Sequence, residues 1–425
     1  MCMNYWTGLT FFMTQNHKIT KPMGLDVEDC LRRVLLRAQV IIDEAMGRHI
    51  TNQAMLLQLV MLRDAMHHGY YMLDTFGYQR HDDEEAKDQA PYSMHLQLAN
   101  CMFGRQMEAQ LVFNFLLHTQ PHCAEELEVL PIVGPRYVGK STLVAHVCKD
   151  ERVCGHFSKI LFLHIHGFTD DELATFRKGC AKFQNHMSDS NKDGRLLVVL
   201  ELDGDLSEEA LNRMYSASKR CVPRGSKIIL TSWLDNIAKF GTAKALTLKY
   251  LSHEAYWYFF KMLTVGSMDP EMHPRLMHLA MELARMQKSS FVGANLISRL
   301  LRDNFDPRFW FKVVAFFRGF ISQHISRFGD HPFDRLYQNR PAHLRRMVAP
   351  SESLVIYHHQ QHSSDEEVPK IRMDDVMYGS TKPHGKFEVL VWKSHIPPYH
   401  SYIYTCEIQE IKNTGAKRKR CMGGM

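Results

Sequence analysis

Nine consecutive residues, Gly134-Pro135-Arg136-Tyr137-Val138-Gly139-Lys140-Ser141-Thr142, narrow the folds open to this chain more than anything else in it. They fit the pattern G-x-x-x-x-G-K-[ST], and they sit between the apolar run Val129 to Val133, which reads as a strand, and a segment from Leu143 that reads as a helix. A glycine-rich turn in that position can wrap so that its backbone amides face an anion, while the helix adds unpaired N–H groups at the positive end of its dipole. A phosphate-binding loop (P-loop) of this kind directs Lys140 to the β- and γ-phosphates and the Ser141 hydroxyl to Mg²⁺. Gly134, Val138, Gly139, Lys140, Ser141 and Thr142 are therefore the expected nucleotide contacts. The alternative is a glycine turn that matches by chance; strand, loop and helix in the right order argue against it.

The residues that follow support an α/β reading. Apolar runs recur at Ile160 to Ile165, Leu196 to Leu200, Lys227 to Thr231 and Ala245 to Leu248, separated by helix-length segments. Runs this continuous are expected of parallel strands buried on both faces, so the prediction is a doubly wound P-loop NTPase sheet of about five strands. A nucleotide-hydrolysing site also needs acids at the end of a neighbouring strand, one for the metal and one for the attacking water. The run Leu196 to Leu200 is followed by Glu201, Leu202 and Asp203. Glu201 is placed for the Mg²⁺ role, with an extra methylene that displaces its carboxylate, and Leu202 leaves the adjacent position without an acid. Asp203 either compensates or solvates the turn, and both readings stand open. Glu201 and Asp203 are the weak catalytic candidates, and the expectation is at most a weak ATPase.

The flanks are different in character. Leu31, Val34, Leu35, Ala38, Ile41 and Ala45 fall at helical spacing, and a partner helix is expected after Thr51 or Asn52, running through Met55, Leu59, Leu62, Met66, Tyr70 and Leu73. The pair reads as an antiparallel hairpin, and the charged run His81 to Asp88, closed by Pro91, as a linker. A third helix is expected over about Met94 to His118. Beyond Ser252 the pattern is again helical, at Ala255 to Leu263, Arg275 to Met286, Phe291 to Arg302 and Phe309 to Phe320. The end is read as a polar stretch, Tyr357 to Glu367, then strands Phe387 to Lys393 and Tyr399 to Cys406. The expected organisation is a helical domain and linker over 1–90, the P-loop domain over 91–250, a small helical domain over 251–330 and a β-rich segment with a basic tail over 331–425.

Composition excludes some classes. With 45% hydrophobic and 23% charged residues, the 425-residue chain has the material for folded cores. Its formal charge of +6 is modest, and Lys412 with Lys417 to Arg420 supplies much of it, so no specific nucleic-acid partner is predicted. That basic cluster is read as a nuclear address or as a solvated tail. The ten cysteines show no CxxC pair, which argues against a zinc ribbon or a disulfide framework and for a reducing compartment. No apolar stretch is long enough to span a bilayer and no signal peptide is read, so the expected location is cytoplasmic, with the nucleus as the alternative. His358, His359 and His362 are taken as a solvated loop rather than a metal site, and the block Tyr256 to Phe260 as core.

Taken together, the stretch from about Cys101 to Phe320 resembles the NB-ARC nucleotide-binding domain of plant intracellular immune receptors, in a divergent form of the kind common in grasses. Phe103-Gly104-Arg105 is similar to the family's hydrophobic-Gly-Arg element, which implies adenine contact by these three residues. Gly225 to Ser232 resembles its GSKIIVTTR strand, and Leu251-Ser252-His253-Glu254-Ala255 its L-S-x-x-E-A helix start. The chain departs from the pattern at Glu201-Leu202, where the family has two adjacent Asp, and at Trp233, where it has a γ-phosphate-sensing Arg. The Gly-Leu-Pro-Leu loop survives only as Lys288-Ser289-Ser290-Phe291-Val292-Gly293, and neither the Met-His-Asp switch motif nor leucine-rich repeats are read. The hairpin loosely resembles the family's coiled-coil signalling domain, with Leu62-Arg63-Asp64 to Asp74 in place of its acidic motif. The resemblance implies an ADP/ATP switch in the plant defence response, with Mg²⁺, weak or no hydrolysis, and the N-terminal helices contacting other immune-receptor or signalling proteins. The competing expectation is a non-enzymatic scaffold that no longer uses nucleotide.

Overall fold

The computed structural model describes residues 25–46, 48, 50–77, 102–118, 127–165, 169–188, 194–202, 207–266, 273–338, 340–362, 367–379, 381–394 and 399–411. Two compact units divide within one helix: the first runs to Trp310 and takes in Ser394–Tyr399, and the second comprises Phe311–Lys393 and the chain from His400.

The hairpin is formed by α1 (Leu25–Met46) and α2 (Gln53–Gly77). Asn52 starts α2, its Oδ1 accepting from the amides of Ala54 at 2.9 Å and Met55 at 3.3 Å. Leu35, Ala38 and Ile42 of α1 pack with Met66 and Leu73 of α2. The stripe therefore turns inward at Ile42, whereas Ile41, expected in it, is 53% exposed. The third helix, α3 (Gln106–Leu117), is shorter than the spacing suggests: Met102 to Arg105 form a turn, with Gly104 at φ +69°, and the segment expected before them lies outside the described residues.

The sheet comprises β1 (Glu128–Val133), β2 (Lys159–Ile165), β3 (Leu196–Leu202), β4 (Lys227–Ser232) and β5 (Leu246–Thr247), all parallel, in the order β2-β3-β4-β1-β5. Between them run α4 (Lys140–Cys148), α5 (Glu151–His156), α6 (Asp170–Ser188) and α7 (Glu208–Cys221). Alternate side chains of one strand enter opposite layers. Val129, Val198, Leu200, Ile228 and Leu230 pack with Phe176 of α6 and Met214 of α7. Leu130, Ile132, Leu197, Val199 and Ile229 pack with Val112 of α3 and Leu143 of α4. β1 and β4 are buried throughout, as two-sided burial requires. β2 is not: it lies at the sheet edge and leaves Phe162 51% exposed. Lys227 opens β4 in the interior, its ammonium 2.9 Å from Glu128 and donating to the carbonyls of Phe115 and His118.

Helices α8 (His253–Val265), α9 (Pro274–Met286), α10 (Phe291–Asp303) and α11 (Pro307–Phe328) follow. The block Tyr256 to Phe260 is core, with Tyr256, Trp257, Phe259 and Phe260 buried. The hairpin lies against α8. Asp74 accepts from Lys261 Nζ at 2.8 and 2.9 Å and from Trp257 Nε1 at 2.8 Å, all three residues being buried. His67, Phe103, Tyr258 and Phe259 form one aromatic cluster, ring centroids 5.2–6.0 Å apart.

The second unit carries an antiparallel sheet in the order β6-β7-β9-β8, formed by β6 (Ala342–Arg345), β7 (Glu352–His362), β8 (Lys386–Lys393) and β9 (Ser401–Glu410). Two short helices, α12 (Pro332–Tyr337) and α13 (Met373–Met377), accompany it. The stretch expected to be a polar loop from Tyr357 is thus largely strand: β7 pairs with β9 along its length, and a register shift between Ile356 and His358 breaks the alternation that would have identified it. His358 and His362 are accordingly strand residues, and no metal-binding cluster occurs among the described residues. Nor, among them, is any helix long and apolar enough to cross a membrane.

Candidate functional site

The loop 134–139 leaves the carboxyl end of β1, the edge of a parallel sheet at which ligands bind. Its two glycines have separate physical reasons. Gly134 has φ +151°, and a Cβ there would stand 2.3 Å from the Leu248 carbonyl oxygen after β5. Gly139 has φ +93° at the start of α4, where a Cβ would meet nothing within 4 Å. Here only the backbone conformation requires glycine. Between them Tyr137 takes a left-handed conformation, φ +61°, and Val138 is fully buried.

Lys140 folds back over the loop, its Nζ donating to Gly134 O at 2.8 Å and Pro135 O at 2.7 Å. Ser141 Oγ donates to Glu201 Oε1, and His164 Nε2 of β2 lies 3.1 Å from Glu201 Oε2. Ser141 and Glu201 are therefore in contact. Leu202 is buried in the sheet core, 2% exposed, so this strand presents no second carboxylate beside Glu201. Asp203 lies outside the described residues. Thr142 follows in the first turn of α4, half-buried.

Arg105 braces the loop from below. Its guanidinium donates to Val138 O at 3.3 Å, to Lys249 O at 2.5 Å and to Glu108 Oε1 at 3.1 Å. Burial pulls its pKa down and Glu108 pulls it up, leaving an arginine that stays charged. Gly104 has a steric reason as well as its positive φ, since a Cβ would lie 2.7 Å from Leu251 Cδ2. Phe103 packs into the aromatic cluster of α2 and α8. The three residues expected at the adenine thus tie the phosphate loop, the exit of β5 and the hairpin together.

The loop after α9 lies close by. Lys288 and Ser289 have φ +47° and +57°, two successive left-handed non-glycine residues, and Ser289 Oγ donates to Leu251 O at 3.2 Å. Such conformations cost on the order of 1 kcal/mol each and persist where the surroundings hold them.

The site suits a phosphate ligand and a hard cation. The loop amides and Lys140 would supply an anion cradle, while the Ser141 hydroxyl and Glu201 carboxylate are oxygen donors of the kind that Mg²⁺ prefers. Thr231 Oγ1, one residue from the end of β4 and level with Glu201, and Arg105 Nε are buried without a hydrogen-bond partner among the described residues. Buried polar atoms of this kind call for a polar ligand or water.

No family model matches the chain. The disease resistance protein RGA2 of Solanum bulbocastanum is 25% identical over 227 residues, which cover 49% of this chain and 23% of that protein. The putative disease resistance protein RGA4 of the same plant is 25% identical over 226 residues, 49% and 22% of the two chains. The chain is a divergent relative of plant NB-ARC disease resistance proteins. The Arabidopsis thaliana putative disease resistance protein At3g14460 is 23% identical over 270 residues, 58% of this chain and 18% of that one. The matched segments span about a quarter or less of these relatives' own length. Among solved structures, C. elegans PCH-2 aligns with a TM-score of 0.33 at 14% identity, covering 55% of this chain and 76% of that one.

Two features of this NB-ARC relative escaped the sequence reading. His164 lies one residue before the end of the second apolar run, and only the parallel register of β2 and β3, which pairs it with Glu201, brings it to the site. The other is a contact between the loop's Arg136 and Trp233. The Arg136 guanidinium lies 4.8 Å from the Trp233 ring centroid, and no spacing rule links residues so far apart in sequence.

Proposed function

We propose that this chain is an adenine-nucleotide-binding switch of the NB-ARC immune-receptor type, acting in plant defence, with weak or no hydrolysis. The observation that carries the reading is the loop itself: Gly134 and Gly139 in conformations that favour glycine, Lys140 folded over the loop, and Ser141 against Glu201. Lys140 would hold the β- and γ-phosphates, while Ser141 and Glu201 would hold Mg²⁺, which neutralises phosphate charge when bound. Phe103, Gly104 and Arg105 would border the adenine. Because Leu202 is buried and brings no carboxylate, nothing on this strand beside Glu201 prepares a water for attack, and slow turnover follows. The reading carries with it a cytoplasmic location, and N-terminal helices that meet other receptor or signalling proteins once released from α8.

The test is the nucleotide content of protein purified without added ATP, denatured and chromatographed beside Lys140→Ala. Stoichiometric ADP in the wild type and none in the variant is the expected result. Empty wild-type protein with no thermal shift on adding ADP or ATP with magnesium would refute the reading. It would leave the alternative, an interaction scaffold without nucleotide, to which Trp233 and Leu202 already lend weight.

A further inference from the structure

Where the family pattern expects an arginine just past β4, the chain carries Trp233, and the structure shows what stands against it. The register of β1 and β4 sets Ser232 beside Val133, the residue before Gly134, so Trp233 and the phosphate loop leave the sheet side by side. Ser232 Oγ accepts from the amide of Leu234 at 3.1 Å and turns the chain around Trp233, which is 39% exposed. Over that ring lies the guanidinium of Arg136, the third residue of the loop, 4.8 Å from the ring centroid. The backbone of Arg136 is held separately, its carbonyl accepting from Tyr250 Oη at 3.0 Å beyond β5. Both the main chain and the side chain of this residue are thus fixed at the rim of the cradle.

A guanidinium held over an indole face by cation–π attraction carries its N–H donors along the edge of its own plane. That edge is the part of arginine that matches phosphate oxygens, often two at a time. The tryptophan that stands after β4 in place of an arginine therefore has an arginine of the loop, Arg136, against it.

We propose that Arg136, positioned by Trp233, contacts the γ-phosphate of a bound nucleoside triphosphate and supplies from the loop the charge that the family pattern expects from the residue after β4. The proposal rests on the nucleotide-binding reading above. Arg136 is the phosphate-contacting residue and Trp233 the positioning residue. The pair makes affinity for the triphosphate depend on an interaction that the diphosphate cannot reach.

The experiment is titration calorimetry of the full chain, stripped of nucleotide, with ADP and with ATP in magnesium. Wild type is compared with Arg136→Gln, Arg136→Lys, Trp233→Ala, Trp233→Phe and Lys140→Ala. Arg136→Gln is expected to weaken ATP about tenfold and ADP less than threefold, the loss of one charge-assisted phosphate contact. Arg136→Lys keeps the charge without the planar fork and falls between the two. Trp233→Ala shifts the ATP-to-ADP ratio in the same direction as Arg136→Gln, and Trp233→Phe, which retains a ring, shifts it less. A readout that a merely structural role would not move is Trp233 emission, taken as the wild-type spectrum less that of Trp233→Phe: ATP should change it in wild type and not in Arg136→Gln. Equal losses for ATP and ADP, or none, in Arg136→Gln while Lys140→Ala abolishes binding would overturn the assignment of Arg136 and leave the switch intact. An unchanged ratio in Trp233→Ala would remove the role of Trp233. Wild-type protein that binds neither nucleotide would overturn both proposals.

Discussion

Asp74 is the carboxylate on which the contact between the hairpin and α8 turns, and replacing it with alanine has a cost that can be worked out. The substitution deletes the acceptor of two hydrogen bonds from Lys261 Nζ and one from Trp257 Nε1, where Lys261 is 9% and Trp257 1% exposed. It leaves a buried ammonium without its counter-charge, and breaking a buried pair from one side costs about 3–5 kcal/mol. The orphaned indole N–H, on the order of 1–3 kcal/mol by itself, falls within that figure because the two are lost together. Against a stability of roughly 5–15 kcal/mol for a typical domain, this is a large fraction. Urea unfolding followed by tryptophan fluorescence measures it in the full chain. The companion variant decides the cause: Asp74→Ala with Lys261→Met removes both charges and should recover the part of the loss due to the unpaired ammonium, while the Trp257 N–H stays without its acceptor. A single variant within about 1 kcal/mol of wild type, or a double variant no more stable than the single, would show that the burial-and-charge argument is wrong.

Other expectations follow from the site and its surroundings. Gly134→Ala places a Cβ 2.3 Å from a backbone carbonyl at φ +151°, and thermal unfolding should show a loss of about 3 kcal/mol together with loss of nucleotide binding. Burial pushes His67 down to about 3, so the fold holds it neutral while the unfolded chain takes a proton near the ordinary value of 6.5. Stability should therefore fall as pH drops from about 6.5 toward 3, by at most about 1.4 kcal/mol per pH unit from this group. Urea titrations at several pH values should show His67→Phe with a shallower decline, and identical slopes would contradict the assignment. Glu201→Gln should weaken nucleotide binding about tenfold in magnesium and leave it unchanged in EDTA, by calorimetry, if its carboxylate holds the metal.

The parallel-sheet part of the molecule was legible because its signals are local. Each interior strand is centred on a short apolar run, the loop is a contiguous motif, and Glu201 comes directly after the apolar run Leu196 to Leu200, within β3. What failed to show is what pairing decides. The exposure of β2 depends on its place in the strand order, which no run of residues encodes. The strand through Tyr357 to His362 is polar and interrupted by a register shift, so neither hydrophobicity nor alternation revealed it. Asp74 with Lys261 and Arg136 with Trp233 are distant in sequence and meet only in the fold. The loop at Lys288 and Ser289 is the instructive case. Without its glycine and proline it reads as degenerate, yet both residues are left-handed, because Ser289 anchored on Leu251 and the buried cap of α10 hold the turn in place of residue preference.

Arg105 grips the Val138 carbonyl of the phosphate loop, and Phe103, two residues earlier, lies among the rings that join the hairpin to α8. Two peptide units reach at most about 7 Å between their α-carbons. So short a tether carries almost no slack. A shift of the loop by more than a few ångströms must either draw Phe103 out of its stack or tear Arg105 from its carbonyls, and displacement of the hairpin pulls on the loop in return. A few flexible residues inserted between the two would let each end wander without the other's notice, and the distance between them would then carry no message.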